Sequence, residues 1–359
     1  MDEIPLDQKI KKTLFQHIKS TLWLLVKFAI GLGIIGWIIS GHYDEFKTAV
    51  QHIDYNWLIA GLIFFAVTQI AAAYRWYLLL KIQNINVSFF EALSLAVQGT
   101  FFSLVIPGGA MGGDLVRTSF LLSRTPKGNK LAATSTVFMD RFMGMFGQFS
   151  ITIIIAIFFI PEIQAMHNTA QVAIVIILIV SVLGIICGFG ILMHKQLEKV
   201  RVFAYFKNLV DDFTKGFISN TTDIIDVYNK SKKTMIYCVL IGVVFVQLNM
   251  SLILFFIAKG LSPVYKLSWE AIKSLILSIA MGNTAGLLPI TPGGLGTRDA
   301  VVKATLYAGG FSSGDSIAMP LLFSTIMFLI YLIGGLFFLF HKRNKEKYTI
   351  ITTENNDKK

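Results

Sequence analysis

The chain has 359 residues, of which 54% are hydrophobic and 15% charged, with a formal net charge of +11. Soluble domains carry about 25% charged residues, and several runs here exceed the ~18 apolar residues that a bilayer-spanning helix needs. The balance excludes an ordinary soluble domain, and the positive excess fits cytoplasmic loops better than nucleic-acid binding.

Cys187 and Cys238 both fall inside apolar runs, which argues against a disulfide framework or a cysteine metal site. The six histidines are scattered. No nucleophile elbow, phosphate-binding loop or kinase motif occurs, so no catalytic residue, metal or cofactor is expected.

Residues 1–20 carry Lys9, Lys11, Lys12 and Lys19 and read as a cytoplasmic amphipathic lead-in. Leu22–Ser40 is too long for a signal-peptide core and is the expected first span. The loop at 41–55, with Asp44, Glu45 and Asp54, reads as external. Trp57–Leu80 is the second span and holds Arg75 near its inner end. The apolar run Val87–Ile106 then leads into Pro107-Gly108-Gly109 and a basic segment. A crossing here would put that segment outside, against the positive-inside bias. A re-entrant hairpin keeps it inside, with Gly108, Gly109, Gly112 and Gly113 serving the irregular backbone.

A third span is expected at about 131–160 and a fourth at about 170–193. Residues 194–233 hold eight Lys and Arg and read as cytoplasmic. Within them, at about 199–230, Phe203, Phe206, Val210, Phe213 and Phe217 recur at helical spacing, as in an interfacial linker helix. The fifth span is expected at about 235–258. The run Trp269–Leu288 then leads into Pro292-Gly293-Gly294, and a sixth span at about 316–340 ends at His341-Lys342-Arg343. Residues 342–359 form a polar tail, and both termini are expected in the cytoplasm.

A shift of about 180 residues superimposes the landmarks. The span at 57–80 falls on 235–258, and Ser88 with Glu91 falls near Ser268 and Glu270. Pro107…Asp114 falls on Pro292…Asp299, and the span near 131 falls on that near 316. The two units, about 57–160 and 235–340, have opposite expected orientations. The reading is an all-α polytopic membrane protein within 21–341: six spanning helices plus two re-entrant, Gly/Pro-interrupted hairpins, eight apolar segments in an inverted repeat. Such interrupted segments at matching places point to a transporter site near the midplane.

Charges at membrane depth are costly and need a reason. Arg117 and Arg298 are suited to clamping a lipid phosphate, since a guanidinium offers a planar fork to its oxygens. Asp114 and Asp299 would hold those arginines or meet an ammonium, the amides after Pro107 and Pro292 would add an anion-attracting nest, and Gly112, Gly113, Gly293 and Gly294 join the candidate set. Arg75, Asp140 and Arg141 complete the candidate substrate-binding set. The structural alternatives are a buried Asp140–Arg141 pair, a snorkelling Arg75, and glycines that serve close helix packing alone.

Arg75-Trp76, Gly99 before Pro107, Gly112-Gly113-Asp114-Leu115-Val116-Arg117, Asp140-Arg141 with Gly144, and Pro292-Gly293-Gly294-Leu295-Gly296-Thr297-Arg298-Asp299 occur in that order. Together they resemble the flippase-like transmembrane domain of the lysylphosphatidylglycerol synthase family, in a stand-alone form without the aminoacyl-transferase domain. Ser103, Asp140 and Asp299 depart from the family pattern, which more often has Asn at the first position and Glu at the other two. The resemblance covers about 20–340. It implies a flippase-like transporter moving a phospholipid or glycolipid headgroup across the bacterial cytoplasmic membrane. The partner would be a membrane lipid and not nucleic acid, with homo-oligomerisation open. The alternatives are an integral-membrane enzyme acting on a lipid phosphate and a non-transporting scaffold for envelope lipid enzymes.

Overall fold

The computed structural model describes residues 43–51, 53–106, 110–166, 168–192, 227–261, 268–287 and 296–340. The expected first span, most of the linker helix, both Pro-Gly-Gly tripeptides and the two terminal segments lie outside these residues. All regular structure among the described residues is helical: α1 (Tyr43–Val50), α2 (Tyr55–Ile82), α3 (Phe89–Val105), α4 (Ala110–Leu122), α5 (Lys130–Phe158), α6 (Ile160–Gln164) and α7 (Asn168–Leu192), then α8 (Lys232–Leu261), α9 (Trp269–Gly286), α10 (Thr297–Ala308) and α11 (Ser313–Phe340).

Among the described residues five helices, α2, α5, α7, α8 and α11, are long and apolar enough to cross a membrane. They fall on the second to sixth expected spans. The helix α1 and the short α6 occupy stretches expected as loops. In α8, the segment Gly242–Leu248 is π-helical, a local widening that the apolar pattern does not announce.

Side-chain caps start the helices that matter here. Asp54 accepts the Asn56 N–H at the head of α2, Ser88 accepts the Glu91 N–H at the head of α3, and Ser268 accepts the Ala271 N–H at the head of α9. Each serine satisfies one of the four amides that a helix start leaves free.

Helices α3 and α4 fold back on each other. Glu91 pairs with Arg124 at the open end, Gly99 lies against Gly113 and Arg117, and Ser103 lies against Gly113 nearer the tip. Helices α9 and α10 do the same: Ser274 meets Gly309 at the open end, and Gly282 lies against Arg298 and Val302. The first limbs have 17 and 18 residues. At ~1.5 Å per residue they are about 26 Å long, a little less than a ~30 Å hydrocarbon core.

The two halves pack by one scheme. Within each, the hairpin sits between a preceding and a following long helix: α2 and α5 in the first, α8 and α11 in the second. Across the halves, α3 packs on α11 and α9 packs on α5. The close approach of α11 to α3 depends on Gly334, where an added Cβ would lie 2.1 Å from the Val97 carbonyl oxygen. At the α5–α9 contact, the Gln148 amide donates to the Ala280 carbonyl (3.1 Å) and the Thr284 hydroxyl (3.0 Å). Lipid tails are as apolar as leucine, so close contacts and hydrogen bonds of this kind hold membrane helices together more than water exclusion does.

Among the described residues, three of the four buried apolar clusters follow the same division. One joins Trp76, Leu80, Leu95, Leu121 and Val137 of the first half. Another joins Phe65 to Ile253, Ile279, Val302, Leu306 and Phe323 of the second. Between them, Ile155, Ile174, Leu277 and Met281 bind α5, α7 and α9.

Candidate functional site

Five charged side chains meet where α2, α4 and α5 converge. Asp140, the eleventh residue of the 29-residue α5, is the hub. Its Oδ1 accepts from Arg75 Nε (2.8 Å) and its Oδ2 from Arg117 Nη2 (3.1 Å), while Arg75 Nη2 also reaches the Asp140 carbonyl (3.2 Å). Arg75, Arg117 and Asp140 are 5–7% exposed, so each charge depends on the others for compensation.

Asp114, on α4, forms the second node. Arg141 approaches it side-on with one edge of the guanidinium, Nε toward Oδ2 and Nη2 toward Oδ1, the latter at 3.0 Å. Arg117 Nη2 stands 3.4 Å from Asp114 Oδ1 and so bridges the two carboxylates. The Arg117 guanidinium lies over the Trp76 ring, 4.4 Å from its centroid. Its Nε is buried and has no acceptor among the described residues.

Small residues make room for this cluster. An added Cβ at Gly144 or Gly242 would come within 3.3 Å or 3.1 Å of the Arg75 guanidinium. Gly242 begins the π-helical segment, which brings α8 close to Arg75. Gly112 and Gly113 lie inside α4 and are buried. A Cβ at Gly113 would sit 2.2 Å from the Gly99 carbonyl oxygen, so this glycine is what lets the two limbs of the hairpin touch.

The sequence-adjacent Asp140 and Arg141 do not pair with each other. Consecutive helical residues diverge by about 100°, so Asp140 turns inward and Arg141 turns to the rim. The Arg141 side chain is 45% exposed, against 8% for Arg75 and Arg117. Phe138 and Met145, three residues before and four after it on α5, are exposed and apolar, as are Met111 and Leu115 on α4. Arg75 is enclosed rather than snorkelling.

The counterpart in the second half is smaller. Arg298 donates to Asp299 through Nε (3.0 Å) and Nη2 (2.9 Å), to Ser324 through Nη2, and to the Met327 sulfur through Nη1. Its guanidinium lies over Phe323 at 4.8 Å. Asp299 also accepts from the Ser324 hydroxyl and from the Gly296 N–H (3.2 Å). Gly296 has φ 94°, a conformation open to glycine but strained for other residues, and it starts α10. Gly293 and Gly294 lie outside the described residues.

The halves match in position but not in charge. Asp114 and Asp299 occupy equivalent places, each bound to the long helix that follows its hairpin. In the first half that partner is Arg141; in the second it is Ser324. Three guanidinium groups against two carboxylates leave the first cluster with one positive charge, whereas the second is neutral. Tyr331 of α11 lies within electrostatic range of both Arg141 and Arg298. Ser324, Met327 and Tyr331 belong to no motif in the sequence. Only the polar Ser324 and the aromatic hydroxyl inside an apolar span hinted at them.

At the open end of the second hairpin, Lys273 of α9 donates to Glu162 of α6 at 2.6 Å. That bond holds the Glu162 carboxyl below its ordinary range.

A family model for the lysylphosphatidylglycerol synthase TM region matches residues 24–335. The chain belongs to this family. The UPF0104 membrane protein PH1989 of Pyrococcus horikoshii is 21% identical over 340 residues, covering 91% of this chain and 98% of its own. The UPF0104 membrane protein MJ1595 of Methanocaldococcus jannaschii is 24% identical over 339 residues, covering 92% and 97%. The lysylphosphatidylglycerol synthase TM region thus spans nearly the whole chain, and the two relatives align with it over nearly their full length. Family, relatives and apolar helices together make this a multi-pass membrane protein related to lipid biology.

Proposed function

We propose that the protein is a non-enzymatic, flippase-like transporter that carries an anionic phospholipid or glycolipid headgroup between the leaflets of the cytoplasmic membrane. The observation that carries this reading is the charged cluster of Arg75, Asp114, Arg117, Asp140 and Arg141 with its one uncompensated positive charge. An ionised side chain at membrane depth costs about 2.5–3.5 kcal/mol on insertion scales, so such a cluster marks a pathway by default. Arg141 gives it an accessible edge among apolar side chains, which suits a headgroup whose acyl chains remain in lipid.

In this reading the two helical hairpins are re-entrant and oppositely oriented, giving six spans, with the first at Leu22–Ser40, and both termini in the cytoplasm. Duplicated packing supports it, because an inverted pair of units provides two related states by rocking one against the other. The headgroup passes along Arg141 and Arg117, while Arg298 and Asp299 brace the second unit.

The test is reconstitution of purified protein in liposomes with fluorescent phosphatidylglycerol, read by dithionite quenching of the outer leaflet. Wild type should speed exchange without altering the lipid's mass, and Arg141→Gln should lose at least about 90% of that rate, the loss expected from removing one charge-assisted contact. Equal rates in wild type, Arg141→Gln and empty liposomes would exclude transport, and a changed lipid mass would indicate an enzyme.

A further inference from the structure

The first cluster contains a group that competes with an anion for one edge of its accessible arginine. Arg141 is its half-exposed cation, and the edge that its Nε and Nη2 form is taken by the two oxygens of Asp114. This is the two-point arrangement in which a guanidinium holds a phosphate. Asp114 is also the more open of the two carboxylates, at 17% against 7% for Asp140. Asp140 is fixed by two buried arginines, whereas Asp114 has Arg117 Nη2 as a second partner at 3.4 Å.

We propose that Asp114 is a tethered stand-in for the ligand's anion, and that the Arg141 fork is the subsite for one phosphate-type oxyanion. This rests on the reading that a headgroup binds in this cluster, and it names the group recognised. On binding, the oxyanion takes the fork and Asp114 falls back on Arg117, so no carboxylate is left alone. The spare Nε–H of Arg117, buried without an acceptor among the described residues, gives the oxyanion a second donor. The second half offers no equivalent. Asp299 is held by Arg298, Ser324 and the Gly296 N–H, and neither member of that pair is more than 11% exposed. The stoichiometry is one oxyanion per chain.

The test is calorimetric titration of the full-length protein in detergent with two probes, inorganic phosphate and a short-chain phosphatidic acid. Asp114→Asn and Asp114→Ser should bind about tenfold tighter than wild type, because a charge-assisted contact no longer has to be broken. Arg141→Gln should abolish binding even when combined with Asp114→Asn. Tightening with phosphatidic acid alone or most strongly identifies a lipid headgroup; tightening with inorganic phosphate alone identifies a free anion. Either supports a displaceable carboxylate. Equal or weaker binding by both Asp114 variants would overturn it, as would their failure to fold, since a group that leaves on binding cannot be essential to the fold. Absent transport in liposomes with this pattern intact would sink the flippase reading and spare the oxyanion subsite.

Discussion

At Arg298 every side-chain nitrogen has a partner, and this decides what its substitution does. Arg298→Leu leaves Asp299 as a buried carboxylate without its counter-charge, a change that costs about 3–5 kcal/mol. The double variant Arg298→Leu/Asp299→Leu should recover most of that loss, because a well-packed apolar pair replaces a buried ion pair at little cost. Unfolding of detergent-solubilised protein would measure both. A double variant as unstable as the single would mean that Asp299 acts through Gly296 and Ser324 instead. The charged residues themselves were legible, because an arginine or aspartate stands out in an apolar run. Their pairing was not. Asp140 reaches back 65 residues to Arg75 and ignores its neighbour Arg141, a choice made by helix rotation and packing.

The hairpins show what glycine content says about an element and what it leaves open. Spacing after each proline marked both breaks, yet Gly112 and Gly113 turn out to belong to helix α4, where both are buried and Gly113 faces α3. Gly113→Ala should therefore destabilise the protein by about 1–3 kcal/mol, the usual cost of forcing a methyl into a filled contact. Gly128→Ala, at a site with nothing within 4 Å, should shift stability by no more than about 0.5 kcal/mol. Thermal midpoints in one detergent would compare them; equal shifts would mean that the limbs of the hairpin part freely. The π-helical segment in α8 had no signature, since it arises where Gly242 meets Arg75 from another helix.

At the scale of the whole molecule, offsets of about 180 residues between landmarks made the two halves legible. That each hairpin packs on the last long helix of the other half was not, because no local pattern encodes which apolar face meets which. Nor did the sequence distinguish the charged first cluster from the neutral second. That imbalance has an electrical consequence. Moving one elementary charge through a potential of 100 mV is worth about 2.3 kcal/mol. If the first cluster is the carrier, its single positive charge is cancelled by a monoanionic headgroup, and the loaded protein crosses the field as a neutral body. The empty protein returns with its charge exposed to the full drop. Exchange of phosphatidylglycerol in liposomes should then be indifferent to an imposed voltage, whereas net movement into one leaflet should depend on its sign. Voltage-sensitive exchange would exclude this. The spare arginine thus makes the empty return the step that a membrane potential drives or holds back.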